Sequence, residues 1–381
     1  MALLPFKVDF SRDSVEDLHQ RIDRTRWPNM PFDTGWSAGS NDSVLRALVD
    51  YWRHHYDWFA EQARLNELDH CAVEVEGERI HCVRYRSVAG AARPALILLH
   101  GWPGSFVEFL DTAELLSTGV DGGPSFDIVV PSLPGYTLSE TPKSPGMNTT
   151  RIAERMHALM QQLGYERYGA QGGDWGAGIA TAMATLFPES VIGLHLNFVT
   201  GVPPSGEEMS DEERAYRARI EAFRATGSGY SNIQATRPQT LTYAQTDSPV
   251  GLLAWILEKF WAWSDHGDDL WKTFDRDRFL TNVTLYWLTG SIYSAARLYH
   301  ESPFPRAEAT HSRLAAAPPR IEVPTAYASY PGEPWRAPRV VVERRFNLVR
   351  FSEQPRGGHF AAMEQPELFA RDVAEFFLGL D

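Results

Sequence analysis

The chain has 381 residues, 43% of them hydrophobic and 22% charged, which is a soluble globular balance with enough apolar material for a large core and more than one structural unit. A net charge of -13 with no basic stripe argues against a nucleic-acid partner, and no apolar run approaches the roughly 18 residues of a membrane-spanning helix. Two cysteines are too few for a disulfide framework or a metal cluster, and the start of the chain lacks the apolar segment of a secretory signal, so a cytoplasmic protein is expected.

The first 90 residues read as helices with aromatic anchors. Ser14-Val15-Glu16-Asp17 has the form of a helix start, with Leu18, Ile22 and Trp27 on or near one face. A second helix is predicted from Asp42 through Trp52 towards Phe59. From Cys71 to Tyr85 the pattern alternates around Glu76-Gly77-Glu78, a hairpin that would face Cys71 with Cys82; a reducing cytosol makes a bridge between them unexpected.

From Pro94 the pattern becomes strand, loop, helix. Ala95–Leu99 is a buried strand ending in His100-Gly101-Trp102-Pro103-Gly104-Ser105, and Phe126–Val130 is another. Tyr168 to Gln171 reads as a strand end and Ala177 to Leu186 as a helix of small residues, with Val191–Leu196 a further strand. Between about 203 and 312 the strand signal vanishes and helical patterning takes over, as in Gly251–Trp263 and Phe279–Tyr299. Strands return at Ile321–Ser329 and Leu348–Phe351, before a last helix over Pro366–Leu378. The expected organisation is therefore an N-terminal extension (1–90), an α/β core in two parts (91–202 and 313–381), and a helical cap (203–312) over the carboxyl ends of a doubly wound sheet.

Between the strand at 168 and the helix at 177 stands Gly172-Gly173-Asp174-Trp175-Gly176. Its spacing of small residues around a central nucleophile is that of the nucleophile elbow, with a carboxylate where serine is usual. A helix-capping aspartate is the plain alternative, but the flanking elements and the upstream HGWPGS loop favour the elbow. Attack by Asp174 would form an ester of the enzyme's own carboxylate, which points to displacement at a saturated carbon.

In this architecture the backbone N–H groups of Trp102 and Trp175 would form the oxyanion site. His100 sits on that loop, where holding the turn is its expected role. The base should follow the last strand, which selects His359 in Arg356-Gly357-Gly358-His359-Phe360 over His195, His266, His300 and His311. A carboxylate must orient it: Glu333 has the required chain order, with Glu322, Glu343 and Glu353 as rivals. A neutral O–H donor from the cap would receive the departing oxygen, but periodicity does not choose among Tyr216, Tyr230, Tyr243, Tyr286, Tyr293 and Tyr299.

Over nearly its whole length the chain resembles α/β-hydrolase-fold epoxide hydrolases of the microsomal type. The resemblance rests on Pro5-Phe6-Lys7-Val8, Leu18-His19-Gln20-Arg21-Ile22-Asp23, HGWPGS, GGDWG, Asp247-Ser248-Pro249-Val250-Gly251-Leu252 and Arg356-Gly357-Gly358-His359-Phe360. It implies Asp174 as nucleophile, His359 as base, Glu333 as its acid partner, and Tyr230 and Tyr299 as the ring-opening pair. It implies an epoxide and water as reactants, with neither metal nor organic cofactor. The membrane anchor of some members is not seen, so the resemblance is to a soluble bacterial-type member, with a homodimer one option for its assembly. A haloalkane dehalogenase with the same aspartate elbow, and a non-catalytic relative, are the competing readings.

Overall fold

The computed structural model describes residues 3–90, 93–199, 209–302 and 320–380. The chain opens with a two-residue strand, β1 (Leu4–Pro5), and three helices, α1 (Arg12–Asp23), α2 (Asp42–His54) and α3 (Trp58–Leu65). A hairpin of β2 (Asp69–Val75) and β3 (Glu78–Tyr85) follows. Then come β4 (Ala95–Leu99), α4 (Leu110–Thr118), β5 (Ile128–Pro131), α5 (Thr149–Gln162), β6 (Tyr168–Gly172), α6 (Asp174–Leu186) and β7 (Val191–Leu196).

Among the described residues, six α-helices lie between β7 and the next strand: α7 (Asp211–Thr226), α8 (Gly229–Thr236), α9 (Pro238–Asp247), α10 (Pro249–Trp263), α11 (Arg276–Thr289) and α12 (Ile292–Glu301). The chain closes with β8 (Ile321–Ser329), α13 (Arg339–Arg345), β9 (Phe346–Glu353), α14 (Ala361–Glu364) and α15 (Pro366–Leu378).

The nine strands of the described residues form one sheet in the order β1-β2-β3-β5-β4-β6-β7-β8-β9. From β5 to β9 every neighbouring pair is parallel, whereas β1, β2 and β3 pair antiparallel and join the parallel part through β3 and β5. The N-terminal hairpin is thus an extension of the main sheet rather than a separate layer. Every residue of β4 and β6 is buried, as expected of strands covered on both faces.

Two local expectations are corrected. The first helix starts at Arg12, not at Ser14, because the Ser11 side chain caps it by accepting the Ser14 N–H at 3.1 Å. The helix expected from Asp42 towards Phe59 is two, because Asp57 accepts the N–H groups of Phe59 and Ala60 and starts α3 afresh. The helical stretch Phe279–Tyr299 is divided between α11 and α12, where Gly290, at φ +64°, closes α11 in the left-handed conformation.

The N-terminal helices clasp the helical insertion. Trp52 Nε1 donates to Thr284 Oγ1 at 3.0 Å, Tyr51 O–H donates to Asp277 at 2.9 Å, and Trp36 stacks on Trp261 with 4.2 Å between rings. No helix of the described residues is long and apolar enough to cross a membrane. The junctions expected at 91, 203 and 313, and His311, lie outside the described residues.

Candidate active site

The turn from β6 into α6 places Asp174 at φ +44°, a left-handed conformation that a residue with a side chain adopts at a cost of about 1–3 kcal/mol. The surrounding glycines are required by contact. A Cβ at Gly172 would meet the Gly176 carbonyl, and one at Gly176 would meet the Leu99 carbonyl. One at Gly101 would strike the Asp174 carboxyl itself. The carboxylate also stands at the first residue of α6, where the helix dipole favours negative charge.

The loop after β4 meets it there. The Trp102 N–H donates to Asp174 Oδ1 at 2.8 Å. That loop is pinned from the helical insertion, where Tyr286 O–H donates to the Gly104 carbonyl at 2.8 Å and Asn282 Nδ2 to the Pro103 carbonyl at 2.9 Å. His100 accepts the Leu133 N–H on Nε2 at 3.1 Å, which leaves Nδ1 to donate to the Gly101 carbonyl. Burial lowers its pKa to about 4, so it is a neutral strut of the turn. Trp175 follows Asp174 at the start of α6, and its ring stands edge-on to Tyr299 with 4.8 Å between centroids.

His359 arrives on the loop between β9 and α14. Its Nδ1 lies 2.7 Å from Glu333 Oε2, and its Nε2 lies 3.4 Å from Asp174 Oδ2. Glu333 is 4% exposed, and its other oxygen accepts the Trp335 N–H at 2.9 Å. Burial works against a charge on His359, but the carboxylates of Glu333 and Asp174 outweigh it and hold the imidazole well above the ordinary histidine range. The two loops are tied together, since the Gly332 N–H donates to the Gly357 carbonyl at 2.9 Å. The rival acids are engaged elsewhere: Glu343 pairs with Arg339 and Glu353 with Arg336, while Glu322 is exposed on β8.

Two of the six tyrosines reach this centre. Tyr230 lies parallel to Trp102 at 5.2 Å, Tyr299 stands edge-on to both, and the two tyrosine rings are 5.9 Å apart. Burial drives both phenols above their ordinary pKa, so they remain protonated O–H donors. Of the others, Tyr286 is committed to the Gly104 carbonyl, Tyr243 is 71% exposed, Tyr293 lies near Arg297 and Tyr216 is buried. Lys259 completes the aromatic wall, with its Nζ 4.5 Å over the face of Tyr230.

The remaining histidines have local partners. His195 Nε2 meets Asp372 at 2.9 Å, His266 the Trp261 carbonyl and His300 the Ala235 carbonyl. No cluster of metal-ligating side chains occurs among the described residues. Sequence reasoning missed two contributors. Trp263 accepts the His359 N–H on its carbonyl at 2.8 Å and packs its ring 5.1 Å from the imidazole. Glu108, three residues past the HGWPGS loop, lines a small cavity with Asp174 and His359.

Residues 3–109 match the family profile described as epoxide hydrolase N terminus, and residues 94–226 match that of the alpha/beta hydrolase fold. A protein of Stigmatella aurantiaca (strain DW4/3-1), named as a candidate epoxide hydrolase, is 40% identical over 99% of this chain and 85% of its own length. Epoxide hydrolase 1 of Oryctolagus cuniculus is 37% identical over 98% and 88%. Among solved structures, the juvenile hormone epoxide hydrolase of the silkworm Bombyx mori superposes with a TM-score of 0.85 at 33% identity, covering 100% of this chain and 94% of the other.

Proposed function

Because this chain belongs to the epoxide hydrolases of the α/β-hydrolase fold, we propose a two-step ring opening carried by the site around Asp174. In the first step an Asp174 oxygen attacks an epoxide carbon. The C–O bond breaks towards the ring oxygen, which takes a proton from Tyr230 or Tyr299. In the second step water, losing a proton to His359 Nε2, attacks the carboxyl carbon of the ester. The tetrahedral oxyanion forms opposite the N–H groups of Trp102 and Trp175. On its collapse the departing oxygen takes the His359 proton and a vicinal diol is released. The proton left on the carboxyl returns to the phenolate, restoring carboxylate and phenol.

The observation that carries this reading is the placement of Asp174 between two different partners. The Trp102 N–H holds one oxygen at 2.8 Å, and His359 Nε2 stands 3.4 Å from the other. Ester formation removes the negative charge from Asp174. One of the causes that hold a proton on His359 then disappears, and the imidazole becomes a base when a base is needed.

Trp102, Trp175, Trp263, Tyr230 and Tyr299 surround the nucleophile, which suits an apolar or aromatic epoxide. Helices α7–α12 act in this reading as the cap. Cys71 and Cys82 are buried free thiols with 3.1 Å between sulfurs, consistent with a soluble protein of a reducing, cytoplasmic compartment. Incubation with styrene oxide and, separately, 1-bromobutane tests the chemistry. The diol is the expected product; bromide without diol would mean a dehalogenase.

A further inference from the structure

Behind Asp174 lies a cavity that offers about 10 Å³ to the centre of a water molecule, the space of one ordered water. Asp174, His359, Trp102, Gly101, Gly104 and Glu108 are among the residues that line it, and neither Tyr230 nor Tyr299 does. His359 Nε2 is buried there without a hydrogen-bond partner among the described residues. A water in this space would therefore lie beside both the ester carbon and the base.

Glu108 supplies the third polar group. It sits on a 3-10 helix, Phe106–Phe109, started by Ser105, whose side chain accepts the Val107 N–H. Its carboxyl folds back over the loop: a Cβ at position 104 would lie 2.6 Å from Glu108 Oε2, so Gly104 leaves the room it occupies. A glutamate on a short helix is ordinarily solvated or paired with a surface cation. Glu108 forms no ion pair or side-chain hydrogen bond among the described residues, and its electrical neighbours are His359, Asp174 and Glu364. Burial, with Asp174 and Glu364 adding and His359 opposing, pushes it to about 8. Near neutral pH it thus offers both an O–H donor and a carbonyl acceptor.

We propose that Glu108 positions the hydrolytic water, holding it in this cavity with one proton directed at His359 Nε2 and a lone pair at the Asp174 ester carbon. The assignment rests on the covalent-ester reading above. The water oxygen bonds to the carboxyl carbon and its proton passes to His359. The bond from that carbon to the Asp174 oxygen bridging to the substrate then breaks. This oxygen takes the proton from His359 and leaves in the diol, and the water oxygen stays in the Asp174 carboxyl. Glu108 ends the cycle in the protonation state in which it began.

Rapid-quench measurement with styrene oxide, following the Asp174 ester by intact mass, separates the two steps. Glu108→Leu should slow ester decay at least about ten-fold while ester formation stays within about three-fold. Glu108→Gln, a neutral hydrogen-bonding replacement, should decay within about three-fold of the parent. Parent-like decay in Glu108→Leu, decay in Glu108→Gln as slow as in Glu108→Leu, or equal losses in both steps would overturn the assignment. If the unmodified enzyme makes diol without any ester, the covalent reading itself fails and the role of Glu108 with it.

Discussion

The indole of Trp102 lies parallel to the phenol of Tyr230, 5.2 Å between ring centres and 10° between planes, while its own backbone N–H donates to Asp174. One residue thus holds Asp174, the proposed nucleophile, with its main chain and orients a proposed proton donor with its side chain. Trp102→Leu keeps the first contact and removes the second. An aromatic pair is worth about 0.5–1.5 kcal/mol, so ester formation should fall about ten-fold with ester decay nearly unchanged. Pre-steady-state kinetics on styrene oxide reads both steps, and an equal loss in each would contradict this division.

His359→Gln should form the ester and fail to hydrolyse it. The expected signature is a mass adduct of one substrate per chain in place of diol. A variant that turns over at the parent rate would remove His359 from the mechanism.

In the proposed mechanism Glu333 should set the pH at which His359 works as a base. Its carboxylate is the leading influence that raises the His359 pKa against the lowering effect of burial, so Glu333→Gln must move the pKa down. Ester decay needs neutral imidazole and should rise with pH in both proteins. Its midpoint should lie at lower pH in Glu333→Gln, with a reduced plateau because the ring is no longer oriented. A midpoint that stays in place would show that Glu333 does not act on His359 electrostatically.

Tyr230→Phe and Tyr299→Phe should each reduce ester formation by about ten-fold to a hundred-fold, and the double substitution by more. Since burial raises both phenols, ester formation in the parent should show no loss from phenol ionisation up to about pH 10, the ordinary tyrosine value. An alkaline limb below that pH, absent from both Phe variants, would contradict the buried, protonated pair.

Away from the site, Asp372 accepts Arg350 Nη2 at 2.7 Å and Ser352 Oγ at 2.8 Å, and meets His195 Nε2 at 2.9 Å. Burial alone would raise its pKa, but these partners prevail and hold it well below the ordinary carboxylate range. Its contribution to stability is therefore present above about pH 4 and lost as pH falls below it. Asp372→Asn should cost about 3 kcal/mol at pH 7 and progressively less in acid. Urea unfolding at pH 7 and pH 3 checks this; a constant difference would exclude the linkage.

The contrast between what the sequence displays and what it hides has physical causes. The elbow is legible because its glycines answer to hard contacts, such as Gly176 against the Leu99 carbonyl, that leave no other residue type. The proximity of His359 and Glu333 to Asp174 follows from chain order in a parallel sheet. Tyr230 and Tyr299 are different, because a helix that packs with aromatics on several sides gives no periodic sign of which ring faces the nucleophile. Nor does alternation in β2 and β3 reveal that this hairpin joins the main sheet, since pairing partners far along the chain leave no local trace. Glu108 was invisible for a related reason: its carboxyl is drawn inwards by a gap at Gly104, not by any pattern around itself.

The loop that carries His359 is stitched to the end of α10. The Trp263 carbonyl accepts the His359 N–H, Asp265 accepts the Gly357 N–H at 2.9 Å, and the Asp265 N–H donates to Glu364. For anyone recombining these enzymes, the insertion is consequently not an interchangeable module bounded by its sequence junctions. A chimera that imports a foreign insertion to change substrate range would also import the ruler by which His359 is set. Crossovers that retain residues 263–265 from the recipient should keep turnover where otherwise identical chimeras lose it.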